Sequence, residues 1–199
     1  MILFTEAIKL KDGRFCHLEY HQARVETTTT RFYGTHIDLS EALSVIPDEA
    51  KEGLCKCRVV YGSTIRKIVY QPYLFRDIKS VGLVVDNEIE YSYKYADRGR
   101  LLRLVTQKGS DEILIIKNGF LTDASFSNLV FVKGENLDTP ADCLLYGTKR
   151  QYLIDKKMIR ERRIRPQDIQ HYDRLIFINA MMDLEDDIGI ETGRIIGVD

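Results

Sequence analysis

The chain has 199 residues, of which 44% are hydrophobic and 30% are charged, and this composition excludes a disordered, collagen-like or coiled-coil protein. Its 29 basic and 30 acidic residues leave a net charge of −1, whereas proteins that bind nucleic acid or anionic membranes usually carry a cationic excess. No apolar run approaches the roughly 18 to 20 residues that span a bilayer. We therefore expect neither a nucleic-acid partner nor a membrane partner.

The N-terminus and the four cysteines favour a reducing compartment. The chain begins MILFTEAIKLKDG, without the basic region and the cleavage site of a secretion signal. Cys55 and Cys57 form a C-x-C pair, but no second pair of zinc ligands accompanies it, and Cys16 and Cys143 stand apart. We expect reduced thiols, no metal site and a cytoplasmic location.

Strand pairs and short helices fill the first part of the chain. The predicted elements are, in order, strands over 2–10 and 14–20 around an Asp12-Gly13 turn, a helix that ends at Gly34, a short helix capped by Asp38, and strands over 55–61 and 65–71. Pro72 interrupts the sheet pattern, so residues 73–79 are predicted to be a linker. The sequence thus predicts a small N-terminal α+β domain over residues 1–72.

A larger C-terminal domain is predicted over residues 80–199. Its elements are, in order, a strand over 80–86, a tyrosine-rich strand with Ile89, Tyr91, Tyr93 and Tyr95 on one face, a helix from about Leu101, a hairpin of 113–117 and 120–123 across Asn118-Gly119, a strand over 128–133, a helix over 148–158 and a strand over 174–179. Because the strands come in hairpins rather than in βαβ units, we predict an α+β fold.

Two charged clusters allow more than one interpretation. The acidic residues between 183 and 187 lack the glycine and the terminal glutamate of a calcium loop, which favours a solvated turn. Eight lysines and arginines lie between Lys149 and Arg165, with little aromatic interleaving for base stacking. A solvated helix face is the favoured interpretation of this basic stretch, and an anion-binding surface is the alternative.

Lys94 is a candidate nucleophile. It lies on the polar face of the predicted tyrosine-rich strand, just before a helix. A desolvated lysine amine with cationic neighbours can form a Schiff base with a carbonyl group. A solvated lysine is the more common case, so its position alone leaves both interpretations open.

Four segments, read together and in order, carry a family resemblance. They are LEYHQAR at 18–24, YKYADR at 93–98, LTDASFSNLVFV at 121–132 and LLYGTKR at 144–150. Together they resemble the class IV aminotransferases, the fold-type IV pyridoxal phosphate enzymes, which include branched-chain and D-amino-acid aminotransferases and 4-amino-4-deoxychorismate lyase. The resemblance runs from about Phe4 to Asn179. It implies two small α+β domains with the cofactor cleft between them.

The resemblance also implies roles for individual residues. Lys94 matches the lysine that forms the Schiff base with pyridoxal 5′-phosphate and later moves the substrate proton. Asp123 lies where the family usually has a glutamate, whose carboxylate keeps the pyridine nitrogen protonated and the ring an electron sink. The remaining implied contacts are with the cofactor phosphate: Arg24, the loop of Gly147, Thr148 and Lys149 at a helix N-terminus, and a second turn with Asn179 and Ala180.

This chain departs from the family pattern at two of these positions. Asp123 is one methylene shorter than the usual glutamate, so a closer sheet, an intervening water or a lost contact with the ring nitrogen would follow. Lys149 stands where the family commonly has threonine. The compact N-terminal part also lacks the arginine-glycine segment common before the linker, which concerns substrate recognition more than cofactor binding.

The implied function is that of a homodimeric aminotransferase acting on a small amino acid and a 2-oxo acid through a Lys94 Schiff base. The first alternative keeps the cofactor but changes the reaction to that of 4-amino-4-deoxychorismate lyase, which releases pyruvate. The second alternative is a non-catalytic relative that binds an anionic partner through the basic stretch 149–165.

Overall fold

The computed structural model describes residues 1–197 in two compact units. The first unit contains Met1–Leu74 together with Tyr93–Asp97. The second contains Phe75–Ser92 and the chain from Arg98 onward. The domain and linker boundaries predicted from the sequence stay a prediction.

An antiparallel sheet forms the frame of the first unit. Its strands are β1 (Phe4–Lys11), β2 (Arg14–Phe15), β3 (Leu54–Tyr61) and β4 (Ile65–Pro72), in the order β2-β1-β3-β4. Asp12 and Gly13 take positive φ angles of 48° and 73°, which confirms the predicted turn. The strand predicted over 14–20 is wrong beyond Phe15, because a helix begins at Leu18.

The long helix α1 (Leu18–Tyr33) forms despite four consecutive threonines. The hydroxyls of Thr27, Thr28 and Thr29 each donate to the carbonyl four residues earlier, at 2.8–3.0 Å, so these polar groups are satisfied within the helix. Gly34 ends the helix as predicted, at a φ of 63° that suits glycine. The short helix α2 (Leu39–Ala42) is capped by Asp38, also as predicted.

An aromatic cluster occupies the core of the first unit. The rings of Phe4 and Phe32 lie 4.8 Å apart, Tyr93 meets Phe32 edge-on at 4.8 Å, and Tyr95 lies 5.2 Å from Phe4. Val25 and Ile8 are fully buried in the same cluster. Residues 93–97 therefore complete the core of this unit.

The tyrosine-rich strand predicted over 88–95 is wrong. The segment forms no strand, and its ladder contact is an isolated bridge between Tyr95 and Phe4. Ile89 and Tyr91 pack in the second unit, whereas Tyr93 and Tyr95 pack in the first. The alternation of tyrosines thus reflects burial in two different cores rather than one face of a strand.

The second unit has two sheets. The first, in the order β13-β5-β6-β7, consists of β5 (Val81–Val85), β6 (Glu112–Lys117), β7 (Phe120–Ala124) and β13 (Ile195–Ile196). The second, in the order β10-β9-β8-β11-β12, consists of β8 (Asn128–Lys133), β9 (Asn136–Pro140), β10 (Arg160–Arg162), β11 (Arg174–Ile178) and β12 (Gly189–Glu191). Helices α3 (Gly99–Lys108) and α4 (Thr148–Asp155) accompany them.

Parallel pairing is present beside the hairpins. Strands β5 and β6 run parallel and are connected through α3, so the prediction of hairpins without βαβ units is wrong. The predicted hairpin of β6 and β7 is confirmed, with Asn118 and Gly119 at φ angles of 52° and 82°. Three sheets with accompanying helices confirm the α+β fold class.

Candidate active site

Glu6 on β1 is the centre of a buried charged cluster in the first unit. Its Oε2 lies 2.6 Å from Nδ1 of His21, and its Oε1 accepts a hydrogen bond from Nε of Arg24 at 2.9 Å. Nη2 of Arg24 also donates to Oε2, so the guanidinium meets the carboxylate in a fork. Positions 21 and 24 are three apart on α1 and therefore face the same side. The predicted phosphate ligand Arg24 is thus oriented by a carboxylate.

The electrostatics of the cluster favour an ionised Glu6 and a neutral His21. Burial alone would raise the pKa of Glu6, but the Arg24 guanidinium and the His21 hydrogen bond lower this pKa to about 2. Burial lowers the pKa of His21, and the charges of Arg24 and Lys94 lower it further, against the raising effect of Glu6. The charges of Glu6 and Arg24 therefore balance inside the unit.

The backbone of Lys94 is attached to the same strand. Its carbonyl accepts the N–H of Thr5 at 2.9 Å, and Thr5 precedes Glu6 directly. On either side, Tyr95 bridges to Phe4, and the N–H of Ala96 donates to the carbonyl of Leu3 at 2.8 Å. Within the first unit, the structure thus brings Lys94 to the strand that orients Arg24.

Asp123 lies near the end of β7 in the second unit and is 5% exposed. Its Oδ1 accepts a hydrogen bond from Nδ2 of Asn128 at 2.7 Å. Its Oδ2 accepts the backbone N–H groups of Leu144 at 2.8 Å and Leu145 at 2.9 Å. Burial raises the pKa of Asp123 to about 6, although these donors and the charge of Arg150 act to lower it.

The predicted phosphate loop leads into helix α4. Gly147 is the N-terminal cap residue, and Thr148 and Lys149 occupy the first turn, where backbone N–H groups have no acceptor within the helix. A Cβ atom on Gly147 would lie 1.9 Å from Oδ1 of Asn128, so any larger residue at this position requires Asn128 or the backbone to shift. A helix N-terminus of this kind favours anions.

Lys149 is 4% exposed and forms an ion pair with Asp183. Its amine also lies 5.1 Å from the centre of the Tyr152 ring. The side chain is therefore held by an acid and an aromatic ring of the same unit, while its backbone belongs to the first turn of α4.

The favoured interpretation of the basic stretch 149–165, a solvated helix face, is wrong. Helix α4 ends at Asp155, and both Lys149 and Arg150 are buried. Nη2 of Arg150 donates to the carbonyl of Pro140 at 3.0 Å and to Glu161 at 2.6 Å. The other six cations are exposed, and three of them, at 160, 162 and 163, pair with aspartates. These pairings weaken the anion-binding interpretation.

Asn179 and Ala180 lie in the turn after β11. The backbone groups of Asn179 and Met182 pair with each other, and Oδ1 of Asn179 accepts the N–H of Met181 at 2.8 Å. Nδ2 of Asn179 reaches the carbonyl of Phe126 at 3.4 Å. The predicted site residues of the second unit are thus linked through neighbouring side chains. Asn128 connects Asp123 with Gly147, and Asp183 connects Lys149 with the chain after the Asn179–Ala180 turn. Asn179 in turn contacts Phe126, in the bend that follows β7.

Sequence reasoning missed Glu6, Ser127 and Asn128. The sequence pattern predicts Asn128 only as the start of a strand. Ser127 is a buried hydroxyl for which the described chain offers no hydrogen-bond partner. An acidic residue within the apolar run FTEAIKL was the available signal for Glu6, because buried acids are rare unless paired.

Glu112 was missed as well. Its carboxylate is fully buried and accepts the N–H and the hydroxyl of Ser125, both at 2.9 Å. It therefore holds the turn between Asp123 and Asn128 from the neighbouring strand. The signal was again an acid at the start of an apolar run, in this case EILII.

The structure also bears on metals and membranes. Among residues 1–197, no group of three His, Cys, Asp or Glu side chains is placed to hold a metal ion. Over the same residues, no helix is long and apolar enough to cross a membrane. The four cysteines are free thiols.

Comparison with known proteins identifies the family. Residues 92–184 match the family described as amino-transferase class IV. Over 180 residues, the chain is 36% identical to an uncharacterized protein of Haemophilus influenzae (strain Rd), and the match covers 88% of this chain and 96% of that protein. The chain belongs to the class IV aminotransferase family. The resemblance stated from the four sequence segments is thus confirmed.

Solved structures of class IV aminotransferase relatives share the fold. A protein of Haemophilus somnus 129pt, provisionally named a 4-amino-4-deoxychorismate lyase, is 33% identical, with a TM-score of 0.81 over 91% of this chain and 97% of that one. A hypothetical aminotransferase of Mycobacterium tuberculosis in its PLP-bound form is 16% identical, with a TM-score of 0.77 over 98% and 81%. The branched-chain amino acid aminotransferase of Escherichia coli is also 16% identical, with a TM-score of 0.71 over 100% and 78%.

Proposed function

We propose that this class IV family member is a pyridoxal phosphate-dependent aminotransferase that acts on a small amino acid and a 2-oxo acid, with Lys94 as the amine that binds the cofactor. One observation carries the proposal. The Lys94 backbone is bonded to Thr5, and the adjacent Glu6 orients the Arg24 guanidinium. The amine and the anion-binding group that the cofactor needs are therefore attached to one strand.

The residues present fit the chemistry of pyridoxal 5′-phosphate. Its aldehyde needs an amine, which Lys94 offers, and its phosphate needs cationic or N–H donors, which Arg24 and the first turn of α4 offer. A buried hydroxyl at Ser127 has no hydrogen-bond partner in the described chain, which is typical of a position that a bound molecule completes. Ser127 lies in the bend that follows β7, four residues after Asp123.

Each proposed residue has a defined task in the reaction. The bound cofactor supplies an electron sink for the electrons left when the substrate loses its Cα proton. In transamination, Nζ of Lys94 would take that proton from the substrate Cα and deliver it to the cofactor carbon that carried the aldehyde, so that the amino group stays with the cofactor. The Asp123 carboxylate, when ionised, accepts a hydrogen bond from the ring N–H, and Arg24 holds the phosphate.

A second candidate function is that of 4-amino-4-deoxychorismate lyase. The observation in its favour is the 33% identity to the Haemophilus somnus protein, which bears that provisional name and which the match covers to 97%. Both reactions begin with removal of the Cα proton by Lys94, so the residues above serve either one. The lyase must in addition release pyruvate and an aromatic amine.

Chemical trapping tests the role of Lys94. Borohydride reduction of the protein loaded with pyridoxal phosphate, followed by peptide mapping, is expected to label Lys94. The variant Lys94→Ala is expected to lose the label, whereas Lys117→Ala, at a lysine held by Glu90, keeps it. A label on a different lysine would contradict the assignment.

A substrate panel then separates the two reactions. D- and L-amino acids are offered with 2-oxo acids, and aminodeoxychorismate is offered alone. Transamination is expected to produce a new 2-oxo acid and the amine form of the cofactor. Pyruvate release from aminodeoxychorismate, with no amino-group transfer from any amino acid, would establish the lyase instead.

A further inference from the structure

The carboxylate of Asp123 is attached to the segment that leads into α4. Both of its backbone donors, the N–H groups of Leu144 and Leu145, belong to this segment. The third donor, Nδ2 of Asn128, also donates to the carbonyl of Leu145 at 2.9 Å. The hydrogen bonds of both side chains therefore converge on the residues just before Gly147.

We propose that Asp123 and Asn128 are positioning residues that fix segment 144–147, and with it the phosphate-binding first turn of α4. This role is separate from any contact between Asp123 and the ring nitrogen. It rests on the proposed function, because the phosphate concerned is that of pyridoxal 5′-phosphate.

Asp123 must be ionised to anchor segment 144–147 through all three donors. Each donor is an N–H group that cannot accept a hydrogen bond, so a protonated carboxyl would lack an acceptor for its own proton in this set. A carboxylate offers about four lone-pair sites, and three are taken here, so one further donor can still bind. The same carboxylate can thus hold the loop and meet the ring nitrogen.

The length of the aspartate side chain matches the distance from β7 to the backbone donors of the segment before α4, at a position where the family usually has glutamate. A glutamate at 123 would carry its carboxylate one methylene farther from β7. The aspartate carboxylate instead reaches Leu144 and Leu145 at hydrogen-bond distances of 2.8 and 2.9 Å. The departure from the family pattern is therefore coupled to how this chain holds the segment before α4.

Asn128 transmits the restraint directly to the N-terminal cap of α4. The space that a Cβ atom of Gly147 would occupy is filled by Oδ1 of Asn128, only 1.9 Å from that Cβ position. The amide is fixed on its other side by Asp123 and Leu145. A displacement of Asn128 would therefore move Gly147 and the donors of the first turn.

Comparison of two ligands that differ only in the phosphate tests the proposal. Dissociation constants for pyridoxal 5′-phosphate and for pyridoxal are measured in wild-type protein, in Asn128→Ala and in the control Asn136→Ala, which changes the exposed first residue of β9. Asn128→Ala keeps the carboxylate of Asp123. It is expected to weaken the binding of pyridoxal 5′-phosphate about tenfold, while the binding of pyridoxal changes little. Equal losses for both ligands would overturn the proposal, because they would place the effect at the ring.

Hydrogen exchange of the ligand-free protein gives an independent readout. In Asp123→Ala the backbone N–H groups of Leu144 and Leu145 lose their common acceptor, Oδ2 of Asp123. The amides of Leu144 and Leu145 are therefore expected to exchange about tenfold faster or more in Asp123→Ala, while Asn136→Ala matches wild type. Unchanged exchange would overturn the anchoring role. If wild-type protein binds neither ligand, the proposed function fails, and exchange alone decides whether Asp123 anchors the segment.

Discussion

Glu6 is a carboxylate without exposed surface whose charge is stabilised by Arg24 and His21. The strand that carries it is buried on both faces at Thr5 and Glu6. A buried charge in such a place is tolerated only while its partners remain. The cluster therefore couples the orientation of Arg24 to the folding of the first unit.

A pH dependence of stability follows from the pKa of Glu6. This pKa is about 2 in the folded protein, against an ordinary value of 4.5. Because the folded pKa is depressed, the stabilisation is fully present above pH 4.5 and is lost as the pH falls through 2, for a total of about 3 kcal/mol. Denaturant unfolding at several pH values between 2 and 7 measures this loss in the wild-type protein.

The variant Glu6→Gln is expected to remove that acid-dependent loss. It should also lower the free energy of unfolding at pH 7 by about 3 kcal/mol or more, because the Arg24 charge loses the buried carboxylate of Glu6. Glu90→Gln is the matched control, since Glu90 is 75% exposed and its pair with Lys117 contributes little. If the free energy of unfolding fell as steeply with decreasing pH in Glu6→Gln as in wild type, other groups would be responsible for the acid-dependent loss.

At the scale of the elements, α4 carries a cation in its first turn, where the helix dipole favours anions. Lys149 is only 4% exposed, and the carboxylate of Asp183 compensates its charge. We expect Asp183→Asn to lower the free energy of unfolding by about 2 kcal/mol, a value discounted because the Asp183 side chain is 29% exposed.

Lys149→Met is the partner experiment for this ion pair. It replaces the buried charge by an apolar side chain of similar length, so its cost should be smaller than that of Asp183→Asn. Chemical denaturation of both variants measures the difference. A larger loss in Lys149→Met would show that the Tyr152 contact or another interaction of the amine contributes more than the pair with Asp183.

Gly147 provides a second prediction for α4. In Gly147→Ala, the new Cβ would overlap Oδ1 of Asn128, so one of the two must shift, at a cost of about 1–3 kcal/mol of unfolding free energy. Gly193→Ala is the control, because a Cβ there meets no atom within 4 Å. Thermal unfolding of the two variants should therefore differ, and equal melting temperatures would contradict the packing described.

The elements that could be predicted from sequence are those with local determinants. The Asn118-Gly119 turn and the Gly34 helix end depend on backbone conformations that these residues themselves favour. The parallel pairing of β5 with β6 was missed, because it depends on a connection through α3 and not on neighbouring residues. The tyrosine-rich segment was misread because periodicity records burial and does not say which core buries each residue.

The residues of the candidate site likewise divide into those that could be predicted from the sequence and those that could not. The segments that carry Lys94, Arg24 and Asp123 could be found from motifs, because the residues around them follow a family pattern. Their partners Glu6 and Asn128 could not, since each lies 5 to 18 residues away from the group that it holds. The roles of the motif residues toward the cofactor stay predictions.

For the whole molecule, we propose a homodimer, as the class IV family resemblance implies. Light scattering at working concentration is expected to give a mass twice that of the 23.1 kDa chain. A monomeric mass with amino-group transfer intact would contradict this proposal and would show that one chain suffices for the reaction.

The discontinuous first unit has a consequence for how the protein is made. Tyr93 and Tyr95 pack on Phe4 and Phe32, although about 60 residues or more separate them along the chain. A ribosome that has released only the first 74 residues has therefore produced the sheet strands and both helices of this unit, but not its last aromatic side chains. During synthesis the rings of Phe4 and Phe32 therefore lack these aromatic contacts until Tyr95 emerges, and the apolar surface that they leave uncovered favours aggregation in that interval.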